Sequence, residues 1–184
     1  MLKISVLSTI TVLDKQFKPY LSAAQIEEAV NKISEAITHD FRDKNPLFLV
    51  ILNGAFMFAA DLFKKFNFPC EISFVKISSY VGTQSTSEIH QLIGLTEEVR
   101  GRNIIIIEDI VDTGYTLAKL RDQLLNEVPA DLKITALLFK PNAFKGCYKI
   151  DYCGLEIPND FIVGYGLDYN GYGRNYPDIY QISS

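Results

Sequence analysis

The chain has 184 residues, 48% of them hydrophobic and 22% charged, which suits one folded unit with enough interior to need no disulfide or metal staple. Its formal net charge of −4 supplies no general attraction to nucleic acid or to an anionic membrane surface. Any phosphate it binds would have to be held locally, by loop amides, a metal ion or a few placed lysines.

Residues 1–20 alternate loosely, as a strand or an extended arm ending near Pro19, and lack the basic start and long apolar core of a secretion signal. Ser22 and Gln25 then form a capping box ahead of Ile26, Val30, Ile33, Ile37 and Phe41. Steps of three and four residues predict an amphipathic helix that stops before Asn45-Pro46. Residues 47–52 are apolar at every position, as a strand covered on both faces must be. An Asn53-Gly54 turn follows, and then a helical run over 55–66. Residues 71–79 alternate as a strand, 80–91 are small and polar as in a surface loop, and 92–102 predict an edge strand and turn.

Residues 103–117 read NIIIIEDIVDTGYTL. Four consecutive isoleucines are too short a run for a helix and predict the central strand of a parallel sheet. The acids Glu108 and Asp109 then mark its C-terminal end, the edge at which open α/β sheets bind ligands. Two adjacent carboxylates repel, yet they can accept hydrogen bonds from a vicinal diol such as that of ribose. Behind them, Gly114 permits positive φ, Thr113 and Thr116 offer hydroxyls, and a helix opening near Thr116 aims free N–H groups at an anion. Residue by residue, the same turn also serves an ordinary strand-to-helix connection.

The helix over 116–126 carries Leu117, Leu120 and Leu124 and stops at Pro129, and 133–139 form the next strand, ending at Lys140-Pro141. Residues 161–163 resemble a last strand before a tail rich in tyrosine, glycine and asparagine. Cys70, Cys147 and Cys153 lack C-x-x-C spacing, and His39 and His90 lie far from them. No zinc site or disulfide framework is expected, and the thiols suit a cytoplasmic setting.

The aliphatic run, paired acids, two apolar residues and DTG-x-T resemble the phosphoribosyl-pyrophosphate motif of the type I phosphoribosyltransferases. Over residues 47–174 the chain most resembles the hypoxanthine (hypoxanthine-guanine) branch of that family. The resemblance implies an α/β fold in a single domain, a mainly parallel central sheet flanked by helices, with a small hood formed by the terminal segments (base pocket at about 161–176). It implies transfer of phosphoribose from phosphoribosyl pyrophosphate to a 6-oxopurine base, hypoxanthine and guanine ahead of xanthine, with Mg2+, in a cytoplasmic homodimer or homotetramer that binds neither nucleic acid nor membrane.

The resemblance also assigns roles. Glu108 and Asp109 would hold the ribose diol, directly or through magnesium, and Thr113, Gly114, Tyr115 and Thr116 would wrap the 5′-phosphate. Asp112 would handle the purine N7 proton. Asn53 and Gly54 occupy a pyrophosphate loop that carries an unusual peptide bond in the family, with Asn53 where a lysine is expected. Ser79 and Tyr80 would open a flexible lid over about 79–92, and Arg174 would lie near the pyrophosphate. Lys140 would donate to the 6-oxo group, Phe161 would stack on the purine, Ile162 would read the base edge through its backbone, and Asp168 would assist magnesium or the base.

Three other readings are open to the sequence. A nucleotide-sensing regulator on the same fold would need a basic face that no run of lysine and arginine supplies. The DTG of aspartic proteases sits in an all-β setting, unlike the alternation here. A dinucleotide enzyme would need G-x-G-x-x-G after its first strand, and the sequence has none.

Overall fold

A computed structural model describes residues 8–79, 89–93 and 95–183. Its centre is a six-stranded sheet in the order β5-β4-β3-β6-β7-β8. The strands are β3 (Leu47–Leu52), β4 (Glu71–Ser79), β5 (Ile89–Ile93), β6 (Asn103–Val111), β7 (Asp131–Phe139) and β8 (Tyr152–Glu156). All pairs are parallel except β4 with β5, so five parallel strands carry one antiparallel edge.

Side chains alternate across the central strands and supply both layers of the core. Phe48, Val50, Ile105 and Ile107 pack beneath α1 (Ala23–Phe41) and α2 (Phe56–Phe63). Leu47, Leu49, Ile104 and Ile106 pack against Leu117, Leu120 and Leu124 of α3 (Tyr115–Asn126). All eight strand residues are fully buried, each worth about 1.5–3 kcal/mol relative to exposure. Both reciprocal bonds of the Ser22–Gln25 capping box start α1, whose Ile26, Val30, Ile33, Ile37 and Phe41 are buried as the periodicity predicts. No helix among the described residues is long and apolar enough to cross a membrane.

A second sheet, order β1-β2-β10-β9, forms the hood from β1 (Ile10–Val12), β2 (Lys15–Leu21), β9 (Ile162–Val163) and β10 (Ile179–Ile182). Strand β2 does not end at Pro19. Pro19 faces Tyr180 at a register shift, beyond the residues that β1 pairs, so its missing N–H breaks no ladder on that side.

Several expected boundaries change. β6 runs through Glu108 and Asp109 to Val111, because Ile110 and Val111 still pair with Leu138 and Phe139. The strand expected at 161–163 is β9, reduced to Ile162–Val163 and lying in the hood; β8 closes the central sheet, and no sequence signal marks β8 or β10. The edge strand is β5, earlier than the 92–102 expected. The lid assigned to 79–92 falls mostly outside the described residues: Tyr80 is among those not described, and of Ser79 only its place at the end of β4 is.

Candidate active site

The sheet splits where its connections change direction. Strand β3 pairs with β6 only from Leu47↔Ile104 to Val50↔Ile107. Beyond that, Ile51 and Leu52 pair with β4 alone, while Glu108, Ile110 and Val111 pair with β7 alone. From β3 the chain crosses to β4, and from β6 it crosses the opposite way to β7, so the gap is a topological switch point. A cleft of about 470 Å³ opens there, between the strand ends and the hood. It is lined by Asn53, Gly54, Glu108, Asp109, the loop Asp112 to Thr116, Lys140, Phe161, Ile162, Asp168 and Arg174.

The split explains how two acids stand inside a strand. Asp109 is 7% exposed, and Ile110 N–H donates to its Oδ1 at 2.8 Å. Burial, and then the charge of Asp109, push the Glu108 carboxyl well above its ordinary value. Burial raises Asp109 as well, opposed by hydrogen bonds from the Glu108 side chain and the Ile110 N–H and by the charge of Arg174. Two carboxyls side by side and short of water disfavour each other's charge, and a divalent cation or the hydroxyls of a diol would relieve that arrangement.

These hard oxygen donors fit magnesium, which commonly takes one or two protein carboxylates and completes its shell with substrate oxygens and water. Among the described residues no three Asp, Glu, His or Cys side chains converge on a common point. Asp168 therefore does not join Glu108 and Asp109 in a three-carboxylate cluster. It is taken up by Arg174, whose Nη2 lies 2.6 Å from Asp168 Oδ1, and by Gly171 N–H, which donates to Oδ2 at 2.6 Å.

Beyond β6, Gly114 has φ 78 and caps α3, so the helix begins at Tyr115, one residue earlier than expected. Asp112 leads this loop with its side chain half exposed. Lys140, directly after β7, is 7% exposed and donates through Nζ to Asp112 Oδ2 at 2.9 Å. A lysine this deeply buried is uncommon unless paired. Its stem is covered and its ammonium reaches the cleft beside the loop.

On the other wall the Leu52–Asn53 peptide bond is cis, the unusual bond expected of that loop. Gly54 is confined on both sides. A Cβ there would coincide with the Asp109 carboxylate, and a Cβ on Gly166 would meet the Gly54 carbonyl oxygen. Arg174 fixes the same place, since its Nη1 donates to Gly166 O at 2.6 Å while Gly166 N–H donates to Arg174 O at 2.9 Å.

The hood supplies the remaining wall. Phe161 is 45% exposed and packs near Phe17 and edge-on to Tyr169, with ring centroids 6.2 and 5.9 Å away. Ile182 N–H donates to Phe161 O, which makes Ile162↔Gln181 a non-hydrogen-bonded pair. The N–H and C=O of Ile162 consequently point away from β10, off the free edge of β9. Sequence reading missed Tyr165, whose hydroxyl donates to Asp61 Oδ2 at 2.6 Å and ties the hood to α2, and Phe144 and Tyr148, which pack behind the phosphate-type loop. No spacing signal links these pairs.

The phosphoribosyl transferase domain matches residues 18–170. The chain is 42% identical over 169 residues to a hypoxanthine-guanine phosphoribosyltransferase of Lactococcus lactis, covering 91% of this chain and 92% of that protein. It is 40% identical over 163 residues to the enzyme of the same name from Streptococcus pneumoniae, covering 88% and 91%. A hypoxanthine phosphoribosyltransferase of Staphylococcus aureus superposes with a TM-score of 0.85 at 35% identity, covering 90% of this chain and 91% of that one.

Proposed function

The chain belongs to the phosphoribosyl transferase domain family, and from that premise we propose that it is a purine-salvage enzyme: it transfers phosphoribose from phosphoribosyl pyrophosphate to hypoxanthine and guanine, releasing pyrophosphate and the nucleoside 5′-monophosphate. The observation that carries this reading is the meeting, in one cleft, of the Glu108–Asp109 pair, the Gly114 loop and the Lys140–Asp112 pair at 2.9 Å. Together they offer acceptors for a ribose diol, N–H donors for its 5′-phosphate, and a cation and a carboxylate for a 6-oxopurine.

In this mechanism a purine ring nitrogen bonds to C1 of the ribose as the C1–O bond to pyrophosphate breaks. The oxocarbenium-like transition state calls for positioning and for neutralisation of the departing charge. Glu108 and Asp109 would hold both the ribose hydroxyls and a magnesium ion, which supplies that neutralisation when bound. Asp112 carries the N7 proton. Lys140, whose Nζ lies 2.9 Å from Asp112 Oδ2, holds that carboxyl in place and donates to the 6-oxo group. Phe161 covers the base, and the outward N–H and C=O of Ile162 read its edge. Arg174 holds Gly166 against Gly54 and, with the Asn53-Gly54 amides, faces the pyrophosphate in place of the lysine expected at position 53. Half-exposed Phe56 on α2 and Phe74 on β4 offer apolar surface for a homodimer or homotetramer, which static light scattering of the purified protein would size. Free Cys70, Cys147 and Cys153 suit the reducing cytoplasm.

The test is nucleotide formation from phosphoribosyl pyrophosphate and Mg2+ with hypoxanthine, guanine, xanthine, adenine and uracil offered separately. Turnover of hypoxanthine and guanine well above adenine is expected. Turnover of adenine or uracil in preference, or of no base at all, overturns the proposal.

A further inference from the structure

A loop that cradles phosphate must turn its N–H groups forward and satisfy its carbonyls behind. Here the carbonyls meet a segment outside the motif. Lys145 N–H donates to Thr113 O at 3.0 Å, and the Tyr148 hydroxyl donates to Gly114 O at 2.7 Å, beside the first helical bond from Ala118 N–H at 2.9 Å. In a trans peptide the C=O of one residue and the N–H of the next point in opposite directions. Holding Thr113 O and Gly114 O to the rear therefore sends the N–H groups of Gly114 and Tyr115 the other way, toward the cleft.

The segment is shaped for this contact. It starts at Lys140, whose carbonyl accepts from Ala143 and Phe144 N–H at 3.1 Å each, and folds back at Gly146, where a Cβ would strike both Phe144 and Tyr148. The Phe144 and Tyr148 rings meet edge to face with centroids 5.1 Å apart, Phe139 packs on Phe144 at 5.2 Å, and the Arg121 guanidinium lies 5.8 Å from the centre of the Tyr148 ring. These two side chains fill the space where a Cβ on Gly114 would sit. Burial, and then the charge of Glu108, push the Tyr148 hydroxyl up to about 12, so it remains a donor across the working pH range.

Resting on the salvage reading above, we infer that Tyr148 is a positioning residue for the 5′-phosphate: its hydroxyl, with the Lys145 amide, sets the peptide planes that aim the Gly114 and Tyr115 N–H groups at the phosphate, and the segment from Lys140 to Tyr148 couples the base side of the cleft to the phosphate side.

The experiment is Tyr148→Phe in the whole protein, which keeps the ring and removes the donor. Ribose 5-phosphate affinity, measured by calorimetry, is expected to weaken about 3- to 10-fold, the worth of one hydrogen bond. Inosine 5′-monophosphate should lose affinity by the same factor, while inosine, which lacks the phosphate, should not; KM for phosphoribosyl pyrophosphate should rise more than kcat falls. Unchanged ribose 5-phosphate affinity overturns the inference, including in a variant whose melting temperature drops. So does an equal loss for inosine and its monophosphate. Ribose 5-phosphate binding does not depend on which base is accepted, so failure of the salvage reading would show in wild-type turnover and failure of this inference in the binding ratio.

Discussion

Gly54→Ala isolates the packing of the pyrophosphate wall. Gly54 does not occupy the left-handed region, so its backbone accepts alanine and the cost comes from the new Cβ. That carbon would fall on the Asp109 carboxylate, with the Gly166 backbone closing the other side. Turning Asp109 off its rotamer costs about 0.5–1.5 kcal/mol. Losing its 2.8 Å bond from Ile110 N–H costs about 1.5–3 kcal/mol, because the acceptor is a carboxylate. The sum, about 2–4 kcal/mol, corresponds to a fall in melting temperature of roughly 5–15 °C for a chain of this size. Scanning calorimetry measures it, and KM for phosphoribosyl pyrophosphate should rise in parallel as Asp109 leaves its place. Asp109→Ala in the same chain removes the obstruction, so the double variant should recover much of the stability without the activity. Additive losses in that cycle, or a single variant melting within a degree of wild type, would refute the steric argument.

Asp112→Asn should lower kcat by about 100-fold or more while the phosphoribosyl pyrophosphate KM moves only a few-fold; turnover near wild type removes Asp112 from proton handling. Lys140→Ala should cut the preference for hypoxanthine over adenine about 10- to 100-fold, the worth of a charge-assisted bond, and unchanged discrimination in competition assays sinks its contact with the 6-oxo group. Burial raises the Asp61 carboxyl, but bonds from Lys64 and Tyr165 outweigh it and leave the net value below the ordinary one. Stability from Asp61 is thus present above its unfolded value and lost as pH falls through the lower folded one. Tyr165→Phe should therefore cost about 1 kcal/mol near pH 7, a figure reduced because Asp61 is partly exposed, and the gap should narrow toward pH 3 in urea titrations. A gap independent of pH contradicts the assignment.

What could be read from sequence was local. LFLVIL gives β3 its bounds because a strand covered on both faces has no polar position, and Ser22 with Gln25 gives α1 its start because both bonds lie within one turn. The charged residues after the isoleucines suggested a strand end, since acids seldom stand inside a buried strand. They stand there because β3 and β6 part company at Val50 and Ile107, a fact of pairing between distant segments. YCGLE carries weak strand preference at glycine and glutamate and is only five residues long, so nothing in its sequence marks β8. Lys140 was named for its place after a strand, but its pairing with Asp112 across 28 positions, like that of Tyr165 with Asp61 across 104, exists only in the folded chain.

The hood has a consequence for the order in which the molecule is completed. Its two middle strands join Phe17 to Ile182 and Pro19 to Tyr180, so the sheet beneath Phe161 is stitched from opposite ends of the described chain. Among the described strands such a pairing carries the largest sequence separation, and its loop-closure cost favours formation after the intervening strands have drawn those ends together. On a ribosome, the acids and the phosphate loop of β6 can be in place while β2 still lacks its partner. By contact order, the cleft is expected to be finished from the sugar side toward the base side, with the aromatic wall closing it last.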